Sequence, residues 1–347
     1  MKIKLLYWIK LTAANLALFL FLLLMSEGIL RLMGKRYVYQ RTYPSQFANR
    51  SFVSDTNIVK VSWPKEDSTL GWVCSKLNRI NFSNKLNNQK LISYTINDEG
   101  FRNSQNFPTV PQKCTKRRIM LLGDSFLFGV YLPDTSTISY LIQKEIGQNT
   151  DVFNMGIPGW GIDQMYLTYL KYNVRLRPNI VILFFIDDDI ARVLESYRRA
   201  EGMNKPSFKV ENSQLVLRID DQPGMIENTL ASSVLLNPIY RWILKMKSMK
   251  ISSMILEKLY RETQENHQQL LIVRIPRFEN YMIPETNEWY RMDLSSFAGK
   301  ERVIDLYDDF KKMPPEKVHG LYLHDGHFSQ TGAELAAEKV IGLLNHY

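Results

Sequence analysis

Ser125 stands in the run Gly123-Asp124-Ser125-Phe126-Leu127-Phe128-Gly129, and far downstream Asp325 and His327 stand in His324-Asp325-Gly326-His327-Phe328-Ser329. A serine hydroxyl is a poor nucleophile until a base takes its proton, and the base must be held in one tautomer by a third group. Ser125, His327 and Asp325 supply those three parts, and attack on an acyl ester is the chemistry they suit. Gly123 and Gly129 let the chain turn tightly, so that the Ser125 hydroxyl projects and its own N–H faces an oxyanion. Two more polar clusters accompany them, Asn154-Met155-Gly156-Ile157-Pro158-Gly159-Trp160-Gly161 and Asp187-Asp188-Asp189.

The clusters take their place from the elements around them. Apolar runs at 119–122, 152–154, 180–185, 270–273 and 303–306 read as strands, the third (IVILFF) most strongly. Helical spacing covers 137–146, 163–174, 251–265 and 332–344. This alternation predicts an α/β fold, a three-layer α/β/α sandwich around a mainly parallel sheet. Ligands of such sheets bind beyond the carboxyl ends of the strands. Three of the clusters directly follow a strand and the fourth precedes the last helix, so all four are expected on one rim.

Residues 1–36 are expected to form a membrane anchor, 37–117 an irregular or β-containing lead-in, and 118–347 the α/β domain, interrupted around 191–235 by an insertion with a β-rich stretch at 206–219. The anchor reading rests on Lys2, Lys4 and Lys10 followed by an apolar run from Leu11 to Met25, lengthened by the flanking apolar residues to what a bilayer needs. Met25-Ser26-Glu27-Gly28 is poor cleavage chemistry, which favours an uncleaved single-pass span over a signal peptide. Basic residues lie on both sides of it, so the positive-inside rule does not decide orientation. A short cytoplasmic head with the large domain exported, periplasmic in a Gram-negative cell, is the simplest arrangement.

Hydrophobic residues at 45% and charged residues at 23% exclude a disordered, collagenous or multi-span chain. The net charge of +9 is uneven: residues 1–118 hold 19 basic and 6 acidic side chains, and the remainder is net acidic. A basic segment beside the apolar stretch suits anionic lipid or an acidic polymer better than nucleic acid, and no nucleic-acid partner is expected. Cys74 and Cys114 make one bridge at most, or are two unrelated thiols.

Taken in order, these blocks resemble the SGNH (GDSL-type) hydrolases and their O-acyltransferase relatives. Gly123-Asp124-Ser125-Phe126 is similar to the first family block, and the resemblance implies Ser125 as nucleophile. Asn154 to Gly161 is similar to the second, which implies the Gly159 N–H as an oxyanion donor beside that of Ser125. Asp325-Gly326-His327 followed by Gly332 is similar to the last block in its shorter form, found in alginate-acetylating periplasmic relatives, with Asp325 orienting His327. Gly100-Phe101-Arg102 and Lys205-Pro206 also resemble the membrane-tethered branch. The resemblance implies a flavodoxin-like fold, no cofactor, no metal, and an acylated glycan or small ester as substrate, with Asp124 and Trp160 beside it.

One position departs from the pattern. The third block ordinarily offers an Asn amide to the oxyanion, whereas this chain has Asp188 there, or Asp187 if the register slips by one. An ionised carboxylate accepts hydrogen bonds and donates none. Losing one donor costs about 3–4 kcal/mol of transition-state stabilisation. The departure keeps a second reading open, a weak or inactive glycan-binding or assembly protein on the same fold, and the same machinery also serves a lipid or thioester esterase. The blander roles are a capping Ser125, a structural His327, and an Asp187–Asp189 loop that is merely solvated or holds a divalent ion. A metal site from His324, Asp325 and His327 explains fewer residues than the serine constellation does.

Overall fold

The computed structural model describes residues 2–33, 64–75, 82–83, 91–92, 94–111, 113–198, 202–219, 230, 233–278, 292–299 and 302–345. Lys35 and Arg36 at the end of the expected anchor, much of the expected lead-in, including Arg41, and residues 199–201, 220–229 and 231–232 of the insertion lie outside the described residues. The chain forms two compact units, Met1–Tyr43 with Gln222–Met246, and Pro44–Asp221 with Lys247–Tyr347.

In the first unit, helix α1 (Lys2–Leu32) includes a 23-residue stretch, Lys10–Leu32, that is long and apolar enough to cross a membrane. At 1.5 Å per residue it spans about 34 Å, against a hydrocarbon core of roughly 30 Å.

The second unit is built on a five-stranded sheet: β1 (Arg117–Gly123), β2 (Thr150–Gly156), β3 (Ile180–Phe185), β4 (Gln269–Arg274) and β5 (Val303–Asp305). Every pairing is parallel and the spatial order is β5-β4-β3-β1-β2. This is the doubly wound order whose direction reverses between β1 and β3, where a crevice opens at the carboxyl ends. Helices α2 (Ser125–Phe128), α3 (Ile138–Ile146), α4 (Ile162–Leu176), α5 (Asp187–Arg192), α6 (Asn237–Glu265) and α7 (Gln330–Leu344) follow in the chain. The three-layer expectation is met.

Side chains of a strand alternate between faces, and here both faces are apolar, as a doubly covered parallel sheet requires. Met120, Leu122, Leu183 and Ile272 point to one side, where Met165 and Tyr169 of α4 and Ile255 of α6 meet them. Ile119, Leu121, Ile182 and Val273 point to the other, against Ile138 and Ile142 of α3 and Ala333, Ala336 and Val340 of α7. Leu70, Trp72 and Phe101, from before β1, are buried in the first of these layers.

The expected strands and helices are present with boundaries shifted by a few residues, apart from α6. It begins at Asn237 rather than near 251 because its first turns expose their apolar residues, so the core-facing period starts only at Ile251. In the insertion, Ser207–Glu211 and Gln214–Arg218 pair as an antiparallel hairpin. Asn212 and Ser213 carry its two-residue turn with φ of +47° and +62°, both left-handed as a type I′ turn demands.

Cys74 and Cys114 are free thiols, the first buried and the second partly exposed. Burial pushes the Cys74 thiol well above its ordinary range despite the nearby Arg102, and the thiolate is the reactive form. A thiol reagent added to the native protein should therefore modify Cys114 and leave Cys74 unmodified until denaturant is added. Modification of both at equal rates in the folded state would contradict this.

Candidate active site

Ser125 is the first residue of α2, directly beyond β1 and beside the crevice. Its neighbour Asp124 caps that short helix, Oδ1 accepting from the Phe126 N–H at 2.9 Å. The helix is stopped after one turn by Gly129, whose φ of +78° suits glycine. Gly156, at the end of β2, lets the turn pack close: a Cβ there would lie 2.5 Å from the Phe128 nitrogen. Asn154 holds the same turn from below, its amide donating to the Leu127 carbonyl at 3.1 Å and to Ser139 Oγ at 2.9 Å. Buried Arg102 closes it from the side, donating to the carbonyls of Phe128 (3.0 Å), Gly129 (2.6 Å) and Leu132 (2.6 Å).

His327 Nε2 lies 3.0 Å from Ser125 Oγ, and His327 Nδ1 lies 2.8 Å from Asp325 Oδ2. One intervening residue suffices because Gly326 turns the chain with φ of +85° and the His327 N–H donates back to Asp325 Oδ1 at 3.2 Å. The imidazole is wedged by rings, with Phe126 at 5.3 Å and Tyr131 edge-on at 6.1 Å between centroids. Ser125 and His327 are 5% and 7% exposed, enough for the hydroxyl to be reached while the imidazole stays locked. The Asp325 carboxylate is almost wholly buried, so its bond to Nδ1–H is weakly screened and selects the tautomer with Nε2 free to accept.

The N–H groups of Ser125 and Gly159 have no acceptor among the described residues. Gly159 has φ of +83°, a conformation that side-chain-bearing residues rarely adopt. These are the two expected backbone donors for an oxyanion.

The three consecutive aspartates are not a solvated loop. They form the first turn of α5, and each meets an arginine. Asp187 takes a two-point contact from Arg274, at 3.0 and 2.9 Å; Asp188 pairs with Arg277; Asp189 accepts from the Ile186 N–H at 3.0 Å and pairs with Arg192. Arg192 also reaches Asp124 Oδ2 (3.4 Å) and the Trp160 carbonyl (3.1 Å), so it joins the first three blocks. Burial, and then the nearby Asp124, hold the Asp189 carboxyl well above the usual carboxylate range. Burial alone would depress Arg192, but Asp189, Asp188 and Asp124 outweigh it and keep the guanidinium charged.

Two expected substrate contacts are corrected. Trp160 is fully buried, its ring edge-on to Phe101 and its Nε1–H donating to the Trp72 carbonyl at 3.1 Å. It is a core residue and no platform for a sugar. Asp124 is also fully buried, and its carboxylate is used by the Phe126 N–H, Arg192 and Ser125 Oγ. The third expected oxyanion group, Asp188, accepts from Arg277 Nη1. Residue patterning missed Arg192, Arg274 and Arg277. Three adjacent acids in an apolar domain call for cations, and Arg192 at helical spacing from Asp188 and Asp189 was the one legible partner.

No family model matches the chain, and no curated protein matches it. Solved structures do. A lipase/acylhydrolase from Enterococcus faecalis is similar at 17% identity, covering 66% of this chain and 96% of its own, with a TM-score of 0.37. A member of the lipolytic protein G-D-S-L family from Veillonella parvula DSM 2008 has 14% identity, 67% and 100% coverage and a TM-score of 0.38. A carbohydrate acetylesterase family member from Sinorhizobium meliloti has 11% identity, 66% and 98% coverage and a TM-score of 0.39.

Proposed function

We propose that this chain is a serine-dependent acyl-ester hydrolase or O-acyltransferase of the SGNH type, anchored in the membrane by α1, with its catalytic unit on the outer side. The observation that carries the reading is the unbroken run of contacts from Ser125 Oγ through the His327 ring to Asp325 at the carboxyl end of the sheet. The proposed substrate is an O-acylated, most simply O-acetylated, carbohydrate at the cell envelope.

Ser125 Oγ attacks the ester carbonyl carbon as His327 Nε2 takes the hydroxyl proton, and Asp325 stabilises the imidazolium that forms. The carbonyl oxygen becomes an oxyanion held by the N–H groups of Ser125 and Gly159. On collapse the carbon–alkoxide bond breaks, His327 returns its proton to the leaving oxygen, and the acyl group stays on Ser125. A water or a sugar hydroxyl then gives its proton to His327 and attacks the acyl carbon. The proton passes back to Ser125 Oγ as the acid or the new ester departs.

Asp188 occupies the sequence position where a donor is expected, and Arg277 compensates its charge. Arg277→Ala is expected to lower kcat roughly tenfold by leaving a carboxylate to oppose the developing oxyanion, and Asp188→Asn in that background to recover it. Equal activity of wild type and Arg277→Ala would mean that Asp188 faces away from the reacting carbonyl.

The test of the main reading is labelling by a fluorophosphonate probe in the detergent-purified full chain, followed by peptide mapping. Modification of Ser125 is the expected result. Equal labelling of wild type and Ser125→Ala would remove the proposal. Comparing acetyl with long-chain esters then separates a glycan deacetylase from a lipid esterase.

A further inference from the structure

The first turns of α6 expose an apolar stripe. Ile239, Trp242, Ile243 and Met246 recur at i, i+3, i+4 and i+7 and are 59%, 57%, 45% and 49% exposed. That spacing puts them on one face of the helix. Asn237 and Tyr240, on another face, are buried. Lys245, next to Trp242 around the helix, borders the stripe, and Arg241 lies farther round on the opposite side. Single exposed apolar residues are ordinary, but a contiguous row of large ones marks a contact surface.

The partner follows from where the helix starts. Glu27 of α1 accepts hydrogen bonds from Ser233 Oγ (3.0 Å), the Val234 N–H (2.9 Å) and the Leu235 N–H (3.0 Å), residues that lead directly into α6. Glu27 also pairs with Arg31 at 2.7 Å. It lies beyond the apolar run that ends at Met25, within about 8 Å of the end of α1 by helical rise. If α1 spans a bilayer, Glu27 is at the headgroup level, and α6 begins there too. Aliphatic residues and a tryptophan on one face, with Lys245 at its border, match a helix lying in the interface.

We propose that the stripe formed by Ile239, Trp242, Ile243 and Met246 docks in the headgroup–acyl boundary of an anionic bilayer, with Lys245 at its border directed to lipid phosphates. This second membrane contact goes beyond the catalytic reading and rests on the reading of α1 as an anchor.

The test uses full-length protein with Cys114→Ser and one environment-sensitive fluorophore, placed at Ile243→Cys, at Val174→Cys on the catalytic unit, or at Leu20→Cys within α1. Each is reconstituted in phosphatidylcholine vesicles with or without about 30% phosphatidylglycerol. The probe at 243 should shift to the blue and lose roughly half its emission to spin-labelled lipid, at the depth of an interfacial helix. The probe at 174 should report water. Quenching at 243 should weaken in Lys245→Glu and without phosphatidylglycerol. An unquenched probe at 243 beside a quenched one at 20 overturns the proposal and leaves the anchor standing. If 20 is unquenched as well, the anchor reading fails and the proposal with it. Disulfide cross-linking of unlabelled Ile243→Cys between copies, without lipid quenching, assigns the stripe to a second copy of this chain and also overturns it. Ester turnover of the same variants reports independently on Ser125.

Discussion

Ser125→Ala should lower kcat/KM for a short-chain ester by about 10⁴-fold or more, leaving only the residue of catalysis that backbone oxyanion donors and binding supply. The magnitude follows from the geometry. In the proposed mechanism Ser125 Oγ is both the nucleophile and the group through which His327, 3.0 Å away, acts in the first step. His327→Ala should cost a similar factor, and the double variant little more, because the two groups work as one unit. Stability should barely change, since among the described residues the lost hydroxyl hydrogen-bonds only to His327 and, at 3.3 Å, Asp124. Steady-state kinetics with a thermal melt of each variant check this. Turnover in Ser125→Ala within tenfold of wild type would mean that another nucleophile carries the reaction.

The largest expected loss of stability belongs to Lys205, a residue of the insertion. Its ammonium and the carboxylate of Asp163 in α4 are both entirely buried and in direct contact. Lys205 Nζ also donates to the carbonyls of Arg192 (2.9 Å) and Glu195 (3.3 Å), which tie the end of α5 to α4. Lys205→Met leaves a buried carboxylate without its cation and two carbonyls without a donor, at a cost of about 3–5 kcal/mol. For a unit of this size that lowers Tm by roughly 10 °C. Asp163→Asn in the same background should restore part of it.

The pH dependence provides a second check. Burial already raises the Asp163 carboxyl above its ordinary range, with Lys205 opposing that rise. Removing Lys205 raises it further. A carboxyl whose folded pKa exceeds its unfolded value favours the folded state when protonated. The deficit of Lys205→Met should therefore be full above the folded pKa and shrink as pH falls through it toward the unfolded value. A deficit that is independent of pH would point to lost packing instead. Because Arg192 contacts Asp124, the variant should also lower turnover at temperatures where it remains folded.

The strands were legible because buried parallel strands are short apolar runs, and Ile180–Phe185 reads the same way alone as it does in the sheet. The grouping of Ser125, His327 and Asp325 was legible because each lies at a turn whose chemistry is local: Asp124 capping α2, Gly129 ending it, Gly326 turning Asp325 toward His327. The start of α6 was hidden because its apolar residues face outward there and break the core-facing period.

By itself the chain's pattern determined which polar residues follow which strands, and with the parallel order of the sheet this brings Ser125, His327 and Asp325 to one rim. The tertiary structure alone decided what surrounds them. Trp160 turned inward because the lead-in supplies Trp72 and Phe101 to pack on it, and Asp187, Asp188 and Asp189 acquired Arg274, Arg277 and Arg192. Burial and charge neutralisation depend on groups brought together from distant parts of the chain, and no local periodicity encodes which of them will meet.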